Sequence, residues 1–137
     1  MYKGKSVSLV IPAYNEEKLI KPTLENVNEV IDKVYVVDDK STDNLAEVVN
    51  EVSKKDDRIT LIQHDENQGP GGAIISGYLA SSKDGYDIAV VVGGDHQMPL
   101  DEVKNFLEPI IENRADYVKG NRFLCGIKQL EKCQKFV

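Results

Sequence analysis

Short apolar runs alternate with stretches of helical periodicity along almost the whole chain, and this alternation constrains the fold more than any other feature. The apolar runs predict five strands, at residues 6–11, 33–37, 59–63, 88–92 and 115–119. Between them, apolar residues at helical spacing predict four helices. Their stripes are Leu19, Leu24, Val27 and Ile31, then Leu45, Val48, Val49 and Val52, and then the segments 71–81 and 100–112. Strands and helices in this order form βαβ units, so we predict an α/β fold with a mostly parallel sheet.

The composition indicates one ordinary globular domain, because the 137 residues are 41% hydrophobic and 29% charged. The net charge of −6 argues against nucleic acid as a partner, since such binding needs a basic face. Cys125 and Cys133 have no partner motif and are interpreted as reduced thiols. No secretory signal and no apolar stretch of about 20 residues is visible. We therefore expect a cytoplasmic protein, with contact to a membrane face left open.

The unusual residues concentrate after the strands. Right-handed crossovers place the loops that follow parallel strands at one edge of the sheet, where open α/β folds bind ligands. The loops that meet there are 14–16, 38–39, 64–72, 93–97 and 120–122. The sequence therefore predicts a binding site at this edge.

Two acidic features of these loops have a structural and a functional interpretation. Asp38 and Asp39 suit a strand end and helix cap, with Asp43 or Asn44 as the capping residue, but two adjacent acids are one more than capping needs. One of them could accept a hydrogen bond from a nucleobase edge. Asp95, after two glycines, suits either a turn or a Mg²⁺ or Mn²⁺ site completed by phosphate oxygens and water.

Other patterns in the loops carry less weight. The Gly-rich segment 69–72 resembles a dinucleotide fingerprint, but it follows the third strand and Ile74 occupies the place of the third glycine. Neither His64 nor His96 has a partner at metal-ligand spacing, and His64 is interpreted as an ordinary loop histidine. A phosphate-accepting receiver domain would need its acid pair after strand one rather than strand two.

Four motifs in a fixed order carry a family resemblance. They are PAYNEE at 12–17, VVDDKSTD at 36–43, NQGPGGA at 67–73 and GDHQMP at 94–99. The series resembles family-two inverting glycosyltransferases with the GT-A fold, especially the dolichyl- or polyprenyl-phosphate sugar transferases, and ADYVKGNRF at 115–123 is similar to the same branch. The resemblance implies a Rossmann-like, three-layer α/β/α sandwich.

The same resemblance implies a ligand set and a role for each matching residue. The donor is a nucleotide-diphosphate sugar, with UDP favoured over GDP, and the acceptor is a lipid phosphate. Asp39 would read the base edge, Asp95 would bind Mg²⁺ or Mn²⁺, and Arg122 would lie near the sugar and acceptor. The implied catalytic residues are thus Asp95 and Arg122. The implied nucleotide-binding residues are Pro12, Ala13, Tyr14, Glu16, Asp39, Asn67, Gly71 and Gly94.

Three departures from the family pattern stand out. Gly93 replaces the first acid of the Asp-x-Asp motif. Lys40 and Pro70 stand where a glycine and often a basic residue are usual, which suggests that the left-handed conformation is not required at Lys40. The chain also ends at Val137, so we expect a donor-binding domain at 1–124 with an incomplete acceptor half and a short tail at 125–137. A second copy or a partner subunit would then supply the acceptor side, and a catalytically incomplete binding module is the alternative function.

Overall fold

The computed structural model describes residues 1–121 and 135–136, in two compact units, Met1–Leu100 and Asp101–Val137. The first unit holds a parallel four-stranded sheet in the order β3-β2-β1-β4. Its strands are β1 Val7–Ala13, β2 Lys33–Asp38, β3 Ile59–Gln63 and β4 Ile88–Val91, and its helices are α1 Glu17–Glu25, α2 Leu45–Ser53 and α3 Gly69–Lys83. Strands and helices alternate along the chain, which confirms the predicted α/β class.

The central strands are mostly apolar because both faces of the sheet are covered, and the polar Ser8 within β1 is buried as well. Val10 and Val37 belong to a cluster that includes Ala73 of α3, and α3 packs on β1 and β2. Leu9 and Ile11 point to the opposite face and are also fully buried. Helices α1 and α2 pack against each other. The result is the expected layered arrangement around one sheet.

β1 extends beyond its predicted end. It continues through Pro12, which lies in register with Val37, to Ala13, whose carbonyl accepts the N–H of Asp39 at 3.0 Å. The prediction stopped at Pro12 because proline has no N–H to donate to the ladder. Ala13 faces β2, whereas Pro12 faces the β4 side, where the pairing has already ended at Val10 and Val91. The missing N–H of Pro12 therefore does not interrupt the pairing with β2, and β1 leads directly into the candidate site.

Helix α1 differs from its predicted extent in two ways. It ends at Glu25, so Val27 and Ile31 belong to the connection to β2 although their spacing continues the apolar stripe. The sequence predicts Pro22 in a first turn, where proline is tolerated, but the helix begins at Glu17 and Pro22 lies in its interior. Ile31 is nevertheless buried, which explains why its spacing imitates a helix.

The second unit contains a 3₁₀ turn at Leu100–Glu102 leading into α4 Val103–Ile111, and two short antiparallel strands, β5 Gly120–Asn121 and β6 Lys135–Phe136. The strand predicted at 115–119 is wrong, since that segment is irregular and pairing begins only at Gly120. Tyr117 is 73% exposed, so the segment lacks the burial that stabilises a strand. Among the described residues, every helix is too short or too polar to span a lipid bilayer.

Candidate functional site

The loops after β1 and β2 are joined by reciprocal hydrogen bonds. The N–H of Thr42 donates to Asn15 Oδ1 at 2.7 Å, and the Thr42 hydroxyl reaches the same oxygen at 3.2 Å. In return, the N–H of Asn15 donates to Ser41 Oγ at 3.0 Å. Asn15 has a φ of 52°, a conformation that its short amide side chain tolerates. The two loops therefore form one structural element, named here the double loop (residues 14–17 and 38–44).

The starts of α1 and α2 complete the double loop. The N–H of Glu17 donates to Asp43 Oδ2 at 3.1 Å, while the N–H of Asn44 donates to Glu17 Oε2 at 2.9 Å. Asp43 also accepts the N–H of Leu45 at 3.1 Å through Oδ1. The backbone N–H groups that lack partners at the two helix starts are thus accepted by Asp43 and Glu17. Of the two predicted caps, Asp43 makes the side-chain bond and Asn44 occupies the N-cap position without one.

Asp38 shapes the turn after β2. It is buried, its Oδ1 accepts the N–H of Ser41 at 2.8 Å, and its Oδ2 lies 3.4 Å from the amide nitrogen of Gln63. Folding the chain back in this way places Lys40 at a φ of 59°. The prediction that the left-handed conformation is not required at Lys40 is therefore wrong, and this lysine carries a backbone strain that glycine would avoid.

Asp39 is held at the sheet edge by the loop after β3. Its Oδ1 accepts the N–H of Gln68 at 2.8 Å and lies 2.8 Å from Nδ1 of His64. The Asn67 amide donates to the Asp39 carbonyl at 3.0 Å and accepts the N–H of Gly69 at 3.2 Å. The side chain of Asp39 is only 4% exposed. The two neighbouring acids therefore differ in role: Asp38 builds the turn, and Asp39 is fixed by its surroundings.

Opposing effects act on the pKa of Asp39. Burial alone would raise it, but hydrogen bonds from the N–H of Gln68, the imidazole of His64 and the N–H of Gly69 outweigh burial and lower the pKa below its ordinary 3.8. Asp39 is therefore ionised at neutral pH. An ionised carboxylate accepts hydrogen bonds and donates none, so it can bind only a group that carries a proton.

A second acidic group surrounds Gly94. Glu16 Oε2 is buried without a hydrogen-bond partner among the described residues, and a Cβ added at Gly94 would overlap it. Burial, followed by the negative charges of Asp95 and Asp43, raises the pKa of Glu16 above its ordinary 4.5. Asp95 Oδ1 accepts the N–H of Gln97 at 3.2 Å. The negative charges of Glu16 and Asp95 therefore repel each other next to Gly94, and no cationic side chain among the described residues forms an ion pair with either of them.

These residues fit a divalent cation that shares its coordination with a ligand. The described part of the chain has no cluster of three or more His, Cys, Asp or Glu able to hold a metal by itself. Mg²⁺ and Mn²⁺, however, need only one or two carboxylates when phosphate oxygens and water complete the shell. Asp95 and the unpartnered oxygen of Glu16 provide that donor chemistry. The acid missing at Gly93 is therefore not essential for a cation to be held here.

The structure connects the predicted site residues to different degrees. Pro12 and Ala13 end β1 next to Asp39 and Asn67, while Glu16, Gly94 and Asp95 form the second group. Tyr14 is 48% exposed, which leaves its ring accessible for stacking. Gly71 lies in the first turn of α3 with open space around its Cα atom. Arg122 lies outside the described residues.

Sequence reasoning missed His64, which was interpreted as an ordinary loop residue. The parallel register pairs Asp38 with Gln63, so the next residue of each strand, Asp39 and His64, must also be neighbours. The predicted strands 33–37 and 59–63 end one residue before Asp38 and His64. Had these strands been paired as neighbours in a parallel sheet, the contact between His64 and the acidic pair could have been predicted.

Solved structures define the class to which this fold and site belong. The structure of S. aureus TarS 1–349 in complex with UDP matches 82% of this chain and 34% of the TarS chain, with a TM-score of 0.63 and 25% identity. The mannosyltransferase PcManGT from Pyrobaculum calidifontis, in complex with GDP-Man and Mn²⁺, matches 76% of this chain and 32% of its own, with a TM-score of 0.64 and 26% identity. The fold is that of the GT-A glycosyltransferases.

Residues 8–134 match the sequence model of glycosyl transferase family 2, and the chain belongs to that family. A relative from Methanococcus voltae, a UDP-N-acetylglucosamine–dolichyl-phosphate N-acetylglucosaminyltransferase, is 35% identical over 131 residues, which cover 86% of this chain and 52% of the relative. The family predicted from the four motifs is confirmed. The chain spans about half the length of this relative and of two further curated relatives that it matches.

Proposed function

We propose that this chain binds a nucleotide-diphosphate sugar, with UDP as the favoured nucleotide and GDP as the alternative, for inverting transfer of the sugar to a lipid phosphate. The observation that carries the proposal is the buried, ionised Asp39 at the carboxyl edge of the sheet. Its surroundings keep it as a hydrogen-bond acceptor, which suits the N3–H of uracil or the N1–H of guanine. The relatives that bind UDP, GDP-Man or dolichyl phosphate support the same assignment.

The other residues of the edge take roles that follow from their positions. The exposed ring of Tyr14 would stack on the nucleobase, with Pro12 and Ala13 lining the same side. Asn67 keeps the loop closed around Asp39, and Gly71 leaves the first turn of α3 open to the nucleotide. The N–H groups at the start of a helix favour negative charge, which suits a phosphate at that turn.

Asp95, assisted by Glu16, would hold Mg²⁺ or Mn²⁺ against the diphosphate. The bound cation supplies charge neutralisation for the departing diphosphate. Gly94 leaves room for Glu16 and brings the backbone close to the ligand. Because Asp95 and Glu16 repel each other in the cation's absence, we expect donor and cation to bind together.

The transfer itself forms a bond between an acceptor oxygen and the anomeric carbon as the bond to the diphosphate breaks, with inversion. A lipid monophosphate has a second pKa near ~6 and is largely ionised at neutral pH, so it needs positioning more than proton removal. Arg122 is our candidate for that positioning. We place this reaction at the cytoplasmic face of a membrane, where a lipid phosphate is accessible.

The alternative is a binding module that holds the nucleotide sugar and depends on a second copy or a partner subunit for the acceptor side. Turnover by the purified chain, assayed with a polyprenyl phosphate and the nucleotide sugar that binds, separates the two functions. Sugar transfer by the chain alone would exclude the module.

Calorimetric titration tests the donor site directly. The wild type is titrated with UDP-GlcNAc and GDP-mannose, with and without Mn²⁺, beside Asp95→Ala and the charge-matched control Asp57→Ala. Asp57 is an exposed acid just before β3, at the opposite edge of the sheet. We expect Mn²⁺-dependent binding in the wild type and the control, and its loss in Asp95→Ala. A folded wild type that binds neither nucleotide sugar would refute the proposal.

A further inference from the structure

We infer that His64 is a positioning residue that makes the site select nucleobases with a ring N–H, because its Nδ1 fixes the carboxylate of Asp39. This inference rests on the proposed function and assigns the selection of the base to a residue outside the family motifs described above. It concerns a contact between the loops after β2 and β3.

The imidazole of His64 is fixed at both of its nitrogens. Nδ1 lies 2.8 Å from Asp39 Oδ1, and Nε2 lies 2.8 Å from the hydroxyl oxygen of Ser76 on α3. The backbone N–H of His64 donates to the carbonyl of Asp38 at 2.9 Å. The side chain is 6% exposed. Contacts from β2 and α3 thus leave the ring little rotational freedom.

The partners of the ring determine where its proton lies. Asp39 is ionised and can only accept, so Nδ1 must carry a proton and donate it. The hydroxyl of Ser76 can donate or accept, and it therefore adapts to either state of Nε2. Since the N–H of Gln68 also binds Oδ1, rotation of the carboxylate would break two bonds of 2.8 Å at once. The orientation of Asp39 is therefore set before any ligand binds.

A carboxylate fixed in this way discriminates between bases. Uracil presents N3–H and guanine presents N1–H, whereas cytosine and adenine present a lone pair at the corresponding ring nitrogen. Uracil and guanine therefore donate a hydrogen bond to the charged Asp39, whereas the ring nitrogen lone pair of cytosine or adenine is repelled by it. Bonds of this type correspond to about 10- to 100-fold in affinity. Without His64, the carboxylate could turn away and the preference would fall.

Acid, imidazole and hydroxyl occur in the same order in hydrolases, where the imidazole removes a proton from the hydroxyl. Here, however, Ser76 lies inside α3 and not on a strained turn at a strand end that would present its hydroxyl to a substrate. The geometry therefore assigns positioning to His64 and no covalent step.

Two substitutions of His64 separate its two bonds. The amide nitrogen of asparagine takes approximately the place of Nδ1, and that of glutamine takes the place of Nε2. His64→Asn therefore keeps the donor to Asp39, whereas His64→Gln keeps only a partner for Ser76. With Mn²⁺ present, we would measure dissociation constants for UDP against CDP, or for GDP against ADP if the wild type binds guanine.

We expect the wild type and His64→Asn to share the same preference, and His64→Gln to lose about 10- to 100-fold in affinity for the N–H base with little change for its competitor. Carboxyl carbon NMR without nucleotide should show a higher pKa of Asp39 in His64→Gln than in His64→Asn. Nitrogen NMR of the wild type should find the proton of His64 on Nδ1, a readout that requires no variant to fold.

The possible failures are distinguishable. A wild type that binds neither nucleotide refutes the proposed function, and the selection role with it. Nucleotide binding with an unchanged preference in His64→Gln refutes only the role of His64. A proton found on Nε2 alone in the wild type would also overturn the inference, because Nδ1 would then have nothing to donate to Asp39.

Discussion

Gly77 in α3 is the position where a single added methyl group should be most damaging. The helix packs so closely on β1 that a Cβ atom at residue 77 would overlap Cγ1 of Val10 and lie 3.0 Å from its Cγ2 and 3.1 Å from its Cβ. Val10 is fully buried and in the middle of a central strand. We therefore predict that Gly77→Ala destabilises the protein, although alanine is the better helix former.

The size of the destabilisation by Gly77→Ala depends on which atoms can move to relieve the overlap. Rotating the Val10 side chain displaces its methyl groups but not its Cβ, which at 3.1 Å is still closer than the 3.4–4 Å of ordinary van der Waals contact. The helix or the strand must then shift, and overpacking of this kind costs about 1–3 kcal/mol. We estimate that overpacking at residue 77 costs about 2–3 kcal/mol, because the Val10 side chain is stiff and enclosed. Alanine's helix preference returns about 1 kcal/mol, which leaves a net loss of about 1–2 kcal/mol.

Urea unfolding followed by circular dichroism measures this loss as a lower midpoint at unchanged slope. Gly71→Ala in the same helix is the matched control, because a Cβ there meets nothing within 4 Å, and alanine's helix preference should leave this variant as stable as the wild type or up to about 1 kcal/mol more stable. Combining Gly77→Ala with Val10→Ala should show favourable coupling of more than about 1 kcal/mol. If Gly77→Ala were as stable as Gly71→Ala, the close packing of α3 on β1 would be refuted.

Three further predictions concern the loops. Because the pKa of Asp39 is lower in the folded state than the ordinary 3.8, its ionisation stabilises the fold above that pH, and this stabilisation is lost as the pH falls through the folded pKa. The stability advantage of the wild type over Asp39→Asn in urea should accordingly shrink between pH 6 and pH 3, and parallel pH profiles would contradict this. Lys40→Gly removes a left-handed lysine and should raise the free energy of unfolding by about 0.5–1 kcal/mol, whereas a decrease would show that the side chain itself stabilises the turn. Gly94→Ala meets the flexible end of Glu16 and so should cost about 1 kcal/mol of stability or less, while calorimetry should find Mn²⁺-dependent UDP binding weakened about tenfold. Unchanged affinity would show that Glu16 does not contribute to the cation site.

The sheet could be predicted because each of its strands is a short apolar run in the sequence. β3 has the bounds predicted for it, and β2 and β4 differ by one residue at the carboxyl end, since buried parallel strands are apolar throughout. The first helix was harder to delimit, because buried residues in the following connection imitate its periodicity. The prediction for the segment 115–119 failed for the opposite reason: its pattern is that of a strand, but Tyr117 is exposed, so burial does not stabilise a strand there.

The sequence predicts which loops meet at the carboxyl edge of the sheet, but not the contacts between them. Asp39 and Asp95 follow strands, so topology alone places them at one edge of the sheet. The conformation of Lys40 depends on a bond from Ser41 back to Asp38, and no residue-by-residue preference reveals it. The unpartnered oxygen of Glu16 depends on contact with Gly94, almost 80 residues further along the chain. Such contacts are properties of the folded arrangement and not of any one motif.

The double loop has a consequence for anyone who wishes to re-engineer donor preference by exchanging segments between relatives. Its bonds run from the backbone of one loop to the side chains of the other, through Asn15, Thr42, Glu17 and Asp43. A transplant of 38–44 alone would leave the recipient's 15–17 segment with acceptors and donors that no longer match. The smallest transferable cassette is therefore discontinuous: both segments must be exchanged together, although the 20 residues 18–37 separate them in the chain.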